Sequence, residues 1–177
     1  INIVVLVILI GVILGLGISL YFAREASRMR ISRKALAMGQ AAFEKGDWPA
    51  AVKHLNRYIK KQPEDIETLK NYAQAAMSVR PLSANTINRA ISAYSRLVEL
   101  CPSELCNYER LATLYQAIGQ FKDLASVAQE RLSYEPNDLR AGLWLAHAQV
   151  GMNEPKEAIS TLQSLILAAE GLAEEAE

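Results

Sequence analysis

Residues 108–136 read YERLATLYQAIGQFKDLASVAQERLSYEP. Two short amphipathic helical segments flank Gly119, and Pro136 closes the unit. The pattern recurs on both sides. Pro102 and Pro136 lie 34 positions apart, and Pro63 and Pro102 lie 39 apart, the same period with five residues added. A fixed period of this size dictates architecture. A single helix pair cannot bury its apolar face, so consecutive pairs must stack to build a core.

Outside the repeats the chain begins INIVVLVILIGVILGLGISLYFA, residues 1–23, without one charge. At about 1.5 Å per residue this run exceeds a hydrocarbon core of about 30 Å. It reads as a transmembrane helix. A cleaved signal peptide fits less well, because the run outlasts a signal h-region and no small-x-small site follows. A buried core helix fits less well too, because Tyr21 and Phe22 followed by arginines suit a bilayer interface. Gly11, Gly15, Ser19 and Ala23 recur every four residues and form a small-residue face for transmembrane helix packing, with a second copy or a different protein. Arg24, Arg28, Arg30, Arg33 and Lys34 stand against Glu25 alone in residues 24–34, a basic juxtamembrane helix or stem directed at lipid headgroups. Positive charge leans the following domain toward the cytoplasm, with a periplasmic or other extracytoplasmic side as the alternative. No proline or glycine falls between Ser19 and Met38, so the membrane helix is expected to continue into the domain. The chain starts at Ile1 without a methionine, and further residues are expected upstream. Net charge is zero and the part beyond Lys34 is mildly acidic, which excludes a nucleic-acid-binding profile.

The first repeat, ALAMGQAAFEKGDWPAAVKHLNRYIKKQP, sets Gly39 on its first helix against Ala51 on its second. Gly46–Asp47 makes the turn, Asp47 is a candidate N-cap and Pro49 sits in the first turn. Val52, Leu55 and Ile59 form the apolar stripe of the second helix. These features resemble the tetratricopeptide repeat, which places large and small residues alternately on a first helix, then a turn, then small and large residues, then proline. Tyr108, Leu111, Ala112, Tyr115, Gly119 and Pro136 carry the resemblance in the third unit, with Leu124 and Arg131 where smaller residues are usual. Leu69, Tyr72, Ala73, Ala76, Ala90, Tyr94, Leu97 and Pro102 carry it in the second, with the five extra residues near 80–88. Leu145, Ala146, Ala158, Leu162 and Leu165 carry it in the fourth, where Gly142 replaces a bulky residue and Trp144 is the substitute nearby. The expected organisation is all-α: a transmembrane helix, then an α-solenoid of about four repeats over 35–169, at about 32–65, 66–104, 105–138 and 139–169. The acidic tail 170–177 begins a cap or a further repeat. The resemblance implies a right-handed superhelix whose first helices line a groove.

No catalytic constellation is present. His54 and His147 lie in different units, and no HExxH, GxxxxGK[ST] or GxSxG occurs. Cys101 and Cys106 form no zinc pattern and are expected to be buried thiols rather than a disulfide. No enzyme activity, cofactor or metal is expected from these residues; an activity would need a domain beyond Glu177. By resemblance the groove residues are Lys70, Gln74 and Met77, then Glu109, Thr113 and Gln116, then Arg140, Leu143 and His147. Their mixed polar and apolar character suits a peptide. Leu36 and Gln40 stand where carboxylate-gripping relatives carry lysine and asparagine, which argues against that ligand. The function expected is a membrane-anchored, non-catalytic scaffold or adaptor for protein partners. The alternative is a structural subunit of a larger membrane complex packed through the glycine stripe.

Overall fold

The computed structural model describes the backbone of residues 3–174, and side chains from 15 to 169 apart from 22, 23, 25, 26 and 28. Among these residues the fold is all-α, with helices α1 (Ile3–Glu44), α2 (Trp48–Ile59), α3 (Ile66–Ser78), α4 (Ala84–Leu100), α5 (Leu105–Ile118), α6 (Phe121–Tyr134), α7 (Leu139–Gly151) and α8 (Pro155–Glu174). They divide into two compact units, residues 1–63 and 64–177.

In the first unit α2 folds back on α1. The turn is encoded locally. Gly46 takes φ +72°, Asp47 N–H donates to Ala42 O at 2.9 Å, and the Asp47 side chain accepts from Ala50 N–H at 3.2 Å. Pro49 lies in the first turn, where its missing N–H costs nothing. Leu55 is fully buried beneath Gly39, and Ala51 is buried beside it. A Cβ on Gly39 would stand 2.5 Å from Leu55 Cδ2 and 3.1 Å from Leu55 N, so the helices meet only because Gly39 carries no side chain.

Among the described residues no helix is long and apolar enough to cross a membrane. This overturns the transmembrane anchor, and with it the single-pass location, the membrane as a partner and assembly through a transmembrane helix. A span needs about 20 consecutive apolar residues; the described apolar part of α1 starts at Gly15 and meets Arg24 too soon. The side chains of residues 1–14, which hold the rest of that run, lie outside the described set. So do Gly11 and Ala23 of the small-residue face. Nothing packs within 4 Å of the Cα substituent position of Gly15, and Ser19 Oγ donates back to Leu16 O at 3.0 Å. The headgroup role read for Arg24, Arg28, Arg30, Arg33 and Lys34 presupposes that anchor. Arg24, Arg30, Arg33 and Lys34 are exposed, and the Arg28 side chain is outside the described set.

In the second unit consecutive helices pack in order: α3 on α4, α4 on α5, α5 on α6, α6 on α7 and α7 on α8. Two turns repeat the geometry of the first unit. Gly119 (φ +69°) closes α5, with Gln120 N–H donating to Tyr115 O at 3.0 Å. Asn153 (φ +64°) closes α7, with Glu154 N–H donating to Gln149 O at 2.8 Å. Asparagine tolerates this left-handed backbone better than most side chains. The α3–α4 connection is different. Helix α4 begins already at Ala84, capped by reciprocal hydrogen bonds between Ser83 and Thr86, so the extra residues are shared between a longer connection, 79–83, and a longer α4.

Departures from the repeat pattern are compensated in pairs. Gly142 stands where a bulky residue is expected, and a Cβ there would lie 2.3 Å from Leu165 Cδ2, so Leu165 fills the space it leaves. Leu124 is fully buried against Ala112, Ala125 and Ala148. Trp144 packs against both this cluster and the one formed by Val98, Tyr108, Leu111 and Val127. Arg131 is buried. Its guanidinium lies 5.7 Å above the Tyr108 ring centroid, its Nε donates to Asp138 Oδ2 at 2.8 Å, and Nη1 reaches Pro102 O at 3.5 Å. Asp138 in turn caps α7, accepting from Arg140 N–H at 3.1 Å and Ala141 N–H at 3.2 Å. Burial, with Glu130 next in effect, pushes the Tyr108 phenol up to about 12.

Replacing an exposed helical glycine by alanine stabilises a helix by about 0.5–1 kcal/mol. Gly39→Ala is expected to do the reverse, losing about 1–3 kcal/mol to overpacking against Leu55. Urea unfolding measures it; a gain in stability would contradict the close approach.

Candidate functional site

The second unit carries two adjoining hollows on the side built from α3, α5 and α7. The larger, about 560 Å³, is walled by Lys70, Gln74 and Met77 of α3, Tyr94 of α4, and Cys106, Arg110, Thr113 and Leu114 of α5. The smaller, about 420 Å³, lies between α5 and α7 and is walled by Glu109, Arg110, Thr113, Arg140 and Trp144. Cys106, Arg110 and Thr113 belong to both, as the helical period requires of side chains four and three positions apart.

Six of the nine residues expected in the groove line these hollows: Lys70, Gln74, Met77, Glu109, Thr113 and Arg140. Gln116 and Leu143 line neither. Leu143 is exposed on α7, and His147 lies against Phe121, with ring centroids 5.9 Å apart. Tyr94, Glu104, Arg110 and Trp144 also line the walls; Tyr94 belongs to α4 and Glu104 precedes α5, so a reading confined to first helices does not reach those two.

The charges are largely matched. Lys70 Nζ stands 2.8 Å from Glu104 Oε2. The shared hydrogen bond raises the Lys70 ammonium and lowers the Glu104 carboxyl, each from its ordinary value. Both groups are roughly half exposed, so solvent screens this pair strongly. Arg140 pairs with Glu109 across α5 and α7. Burial raises the Tyr94 phenol, and the nearby Arg110 guanidinium partly offsets it. Both thiols are free. Cys106 is exposed and Cys101 half-buried, which corrects the expectation of two buried thiols. Among the described residues no cluster of three or more His, Cys, Asp or Glu is placed to hold a metal ion.

With this geometry in place, comparisons with known proteins identify the architecture. A family model described as tetratricopeptide repeat matches residues 35–75. The solved structure of MamA MSR-1 is 18% identical, covers 77% of this chain and 75% of its own, and superposes with a TM-score of 0.54. MamA from Desulfovibrio magneticus RS-1 is 20% identical, with coverage of 78% and 75% and a TM-score of 0.51. The fold is tetratricopeptide-like. At these identities the likeness is one of fold.

The exposure of the thiols gives a direct check on the α5 surface. With Cys101→Ser and Cys106→Ser as single-thiol chains, Cys106 is expected to alkylate about tenfold faster or more than Cys101, because access governs thiol reactivity. Equal rates in a stopped-flow assay would contradict the orientation of α5.

Proposed function

We propose that this chain is a non-catalytic protein-interaction scaffold that holds a peptide segment of a partner on the α3–α5–α7 side of its second unit. The observation that carries this reading is the pair of adjoining hollows, which together offer apolar walls (Met77, Tyr94, Leu114, Trp144) and polar groups (Gln74, Thr113, Arg110) along one helix face. Binding surfaces of this mixed kind suit extended or helical peptides. The closing turns and compensated cores support it, because a rigid repeat frame keeps such a surface preformed and reduces the entropy lost on binding. Gln116, Leu143 and His147, although on first helices, lie outside the proposed contact. Its work is recognition rather than catalysis, and its partner is a protein.

The test is site-specific photo-crosslinking in the source cell, with benzoylphenylalanine at Thr113 or, as control, at the exposed Ser126 of α6. An adduct of discrete mass from position 113 and none from 126 is expected. Adducts from both positions, or from 126 alone, would contradict the assignment of the binding side.

A further inference from the structure

We infer that copies of this chain associate head to tail, the outer face of α8 in one copy seating α1 of the next; this goes beyond the peptide-binding reading and does not depend on it. Helix α8 spends one face inside its own repeat. Ala158 is buried, Thr161 Oγ1 donates to Gln149 Oε1 at 2.9 Å, and Leu165 fills the space at Gly142. Ile159, Leu162 and Ile166 form a second apolar stripe, one position further round the helix, and all three are exposed. One 34-residue period earlier the same positions are Ala125, Ala128 and Leu132 of α6, and one more period earlier they are Ile91, Tyr94 and Val98 of α4. In α4 the next first helix covers the stripe: Val98 is buried with Tyr108 and Leu111 of α5, and Ile91 and Tyr94 pack against them. The stripe on α8 is the same seat, with no first helix on it among the described residues.

The matching surface is on α1. Counted from the turn glycines Gly119 and Gly46, Met38 holds in α1 the place of Leu111 in α5, and Ala35 that of Tyr108. Leu111 is buried under α4, whereas Met38 is exposed, as is Ile31 two turns before it on the same side of the helix. Both faces are exposed in one chain, so a chain does not cover its own stripe, and the contact joins two copies. Charge fixes the same register. Val98 meets Tyr108 where α4 and α5 run in opposite directions, so Ile166 would meet the helix near Ala35, and residues beyond 166 would run beside those before 35. Residues 170–177 carry Glu170, Glu174, Glu175 and Glu177 with no basic residue, and residues 24–34 carry five basic residues against Glu25. Acidic tail and basic stem therefore fall side by side in the register set by the apolar positions, and complementary charge of this kind selects partner and alignment. Lengths agree as well: α8 runs for 20 residues against 14 in α6, and α1 extends upstream of its own repeat. Such a contact uses different patches on the two copies and leaves one of each free at the ends.

The test is disulfide cross-linking of full chains that carry Cys101→Ser and Cys106→Ser. One chain adds Met38→Cys, and a second, differently tagged, adds Leu162→Cys. Mixed and oxidised with copper phenanthroline, they are expected to give a linked pair holding one of each tag, while either chain alone gives little. A single chain carrying both substitutions should give a ladder of linked multimers. Arg24→Glu with Lys34→Glu should slow the mixed reaction about tenfold or more, since like charges would then face each other, and Glu170→Lys with Glu174→Lys in the other chain should restore it. Met38, Leu162, Arg24 and Lys34 are exposed, so these changes are expected to keep the wild-type far-UV circular dichroism. Pairs formed as readily by one single-cysteine chain alone would overturn the head-to-tail contact in favour of a symmetric one. A doubly substituted chain that links only within itself, or no cross-link at all, would overturn the association. Cross-linking indifferent to the charge reversal would overturn the pairing of stem with tail.

Discussion

The Arg131 guanidinium joins four parts of the second unit. It covers the Tyr108 ring of α5, reaches the carbonyl of Pro102 before α5, belongs to α6, and pairs with Asp138 at the start of α7. Both members of the pair are nearly excluded from solvent, with side-chain exposure of 9% each. In such surroundings a charge without its partner is far more costly than the pair is favourable. The contact therefore acts less as a source of stability than as a selector of arrangement. Only one placement of α7 relative to α5 lets Asp138 meet Arg131 while capping its own helix. That placement puts Arg140 within reach of Glu109, and so sets the second hollow.

Around this clamp, the helix pairs hold together by exchanging volume. Gly39 makes room for Leu55 and Gly142 for Leu165, each where a single methyl would collide. Gly151 yields in the same way to the Phe121 ring, which a Cβ would meet at 2.4 Å. The pattern of large and small is therefore free to slide between partners, provided each sum is kept. Close-packed interiors allow this, because what is conserved in packing is filled space rather than residue identity at one position. A rigid frame follows, and the side chains of its first helices are presented at fixed spacing.

Much of this frame is legible in the sequence. The proline period, the turn at Gly46, the Asp47 cap and the Gly39 contact each follow from local chemistry. Other features depend on distances between helices. Asn153 reads as an ordinary polar residue until its backbone is seen to repeat the Gly119 turn. Arg131 looks like a misfit until Asp138 and Tyr108 are placed around it. Nothing local says that Arg140 will find the Glu109 carboxylate on the neighbouring first helix. His147 stands on a first helix, and the ring beside it is that of Phe121, from the preceding helix. The apolar run at 1–23 shows a different limit. Hydropathy states that side chains avoid water without stating what covers them, and among the described residues no helix meets the requirement for a span.

The most direct measurement of the central claim is a double-mutant cycle on the buried pair. Arg131→Met and Asp138→Asn are made singly and together, asparagine being chosen because it keeps the N-cap of α7. Unfolding in urea is followed for each. Each single change should cost about 3–5 kcal/mol, since it strands a buried charge or its partner, and the double change should cost clearly less than the two together. Small, additive losses would contradict the account, for they would mean that the pair neither selects the arrangement of α5, α6 and α7 nor sets the face they present.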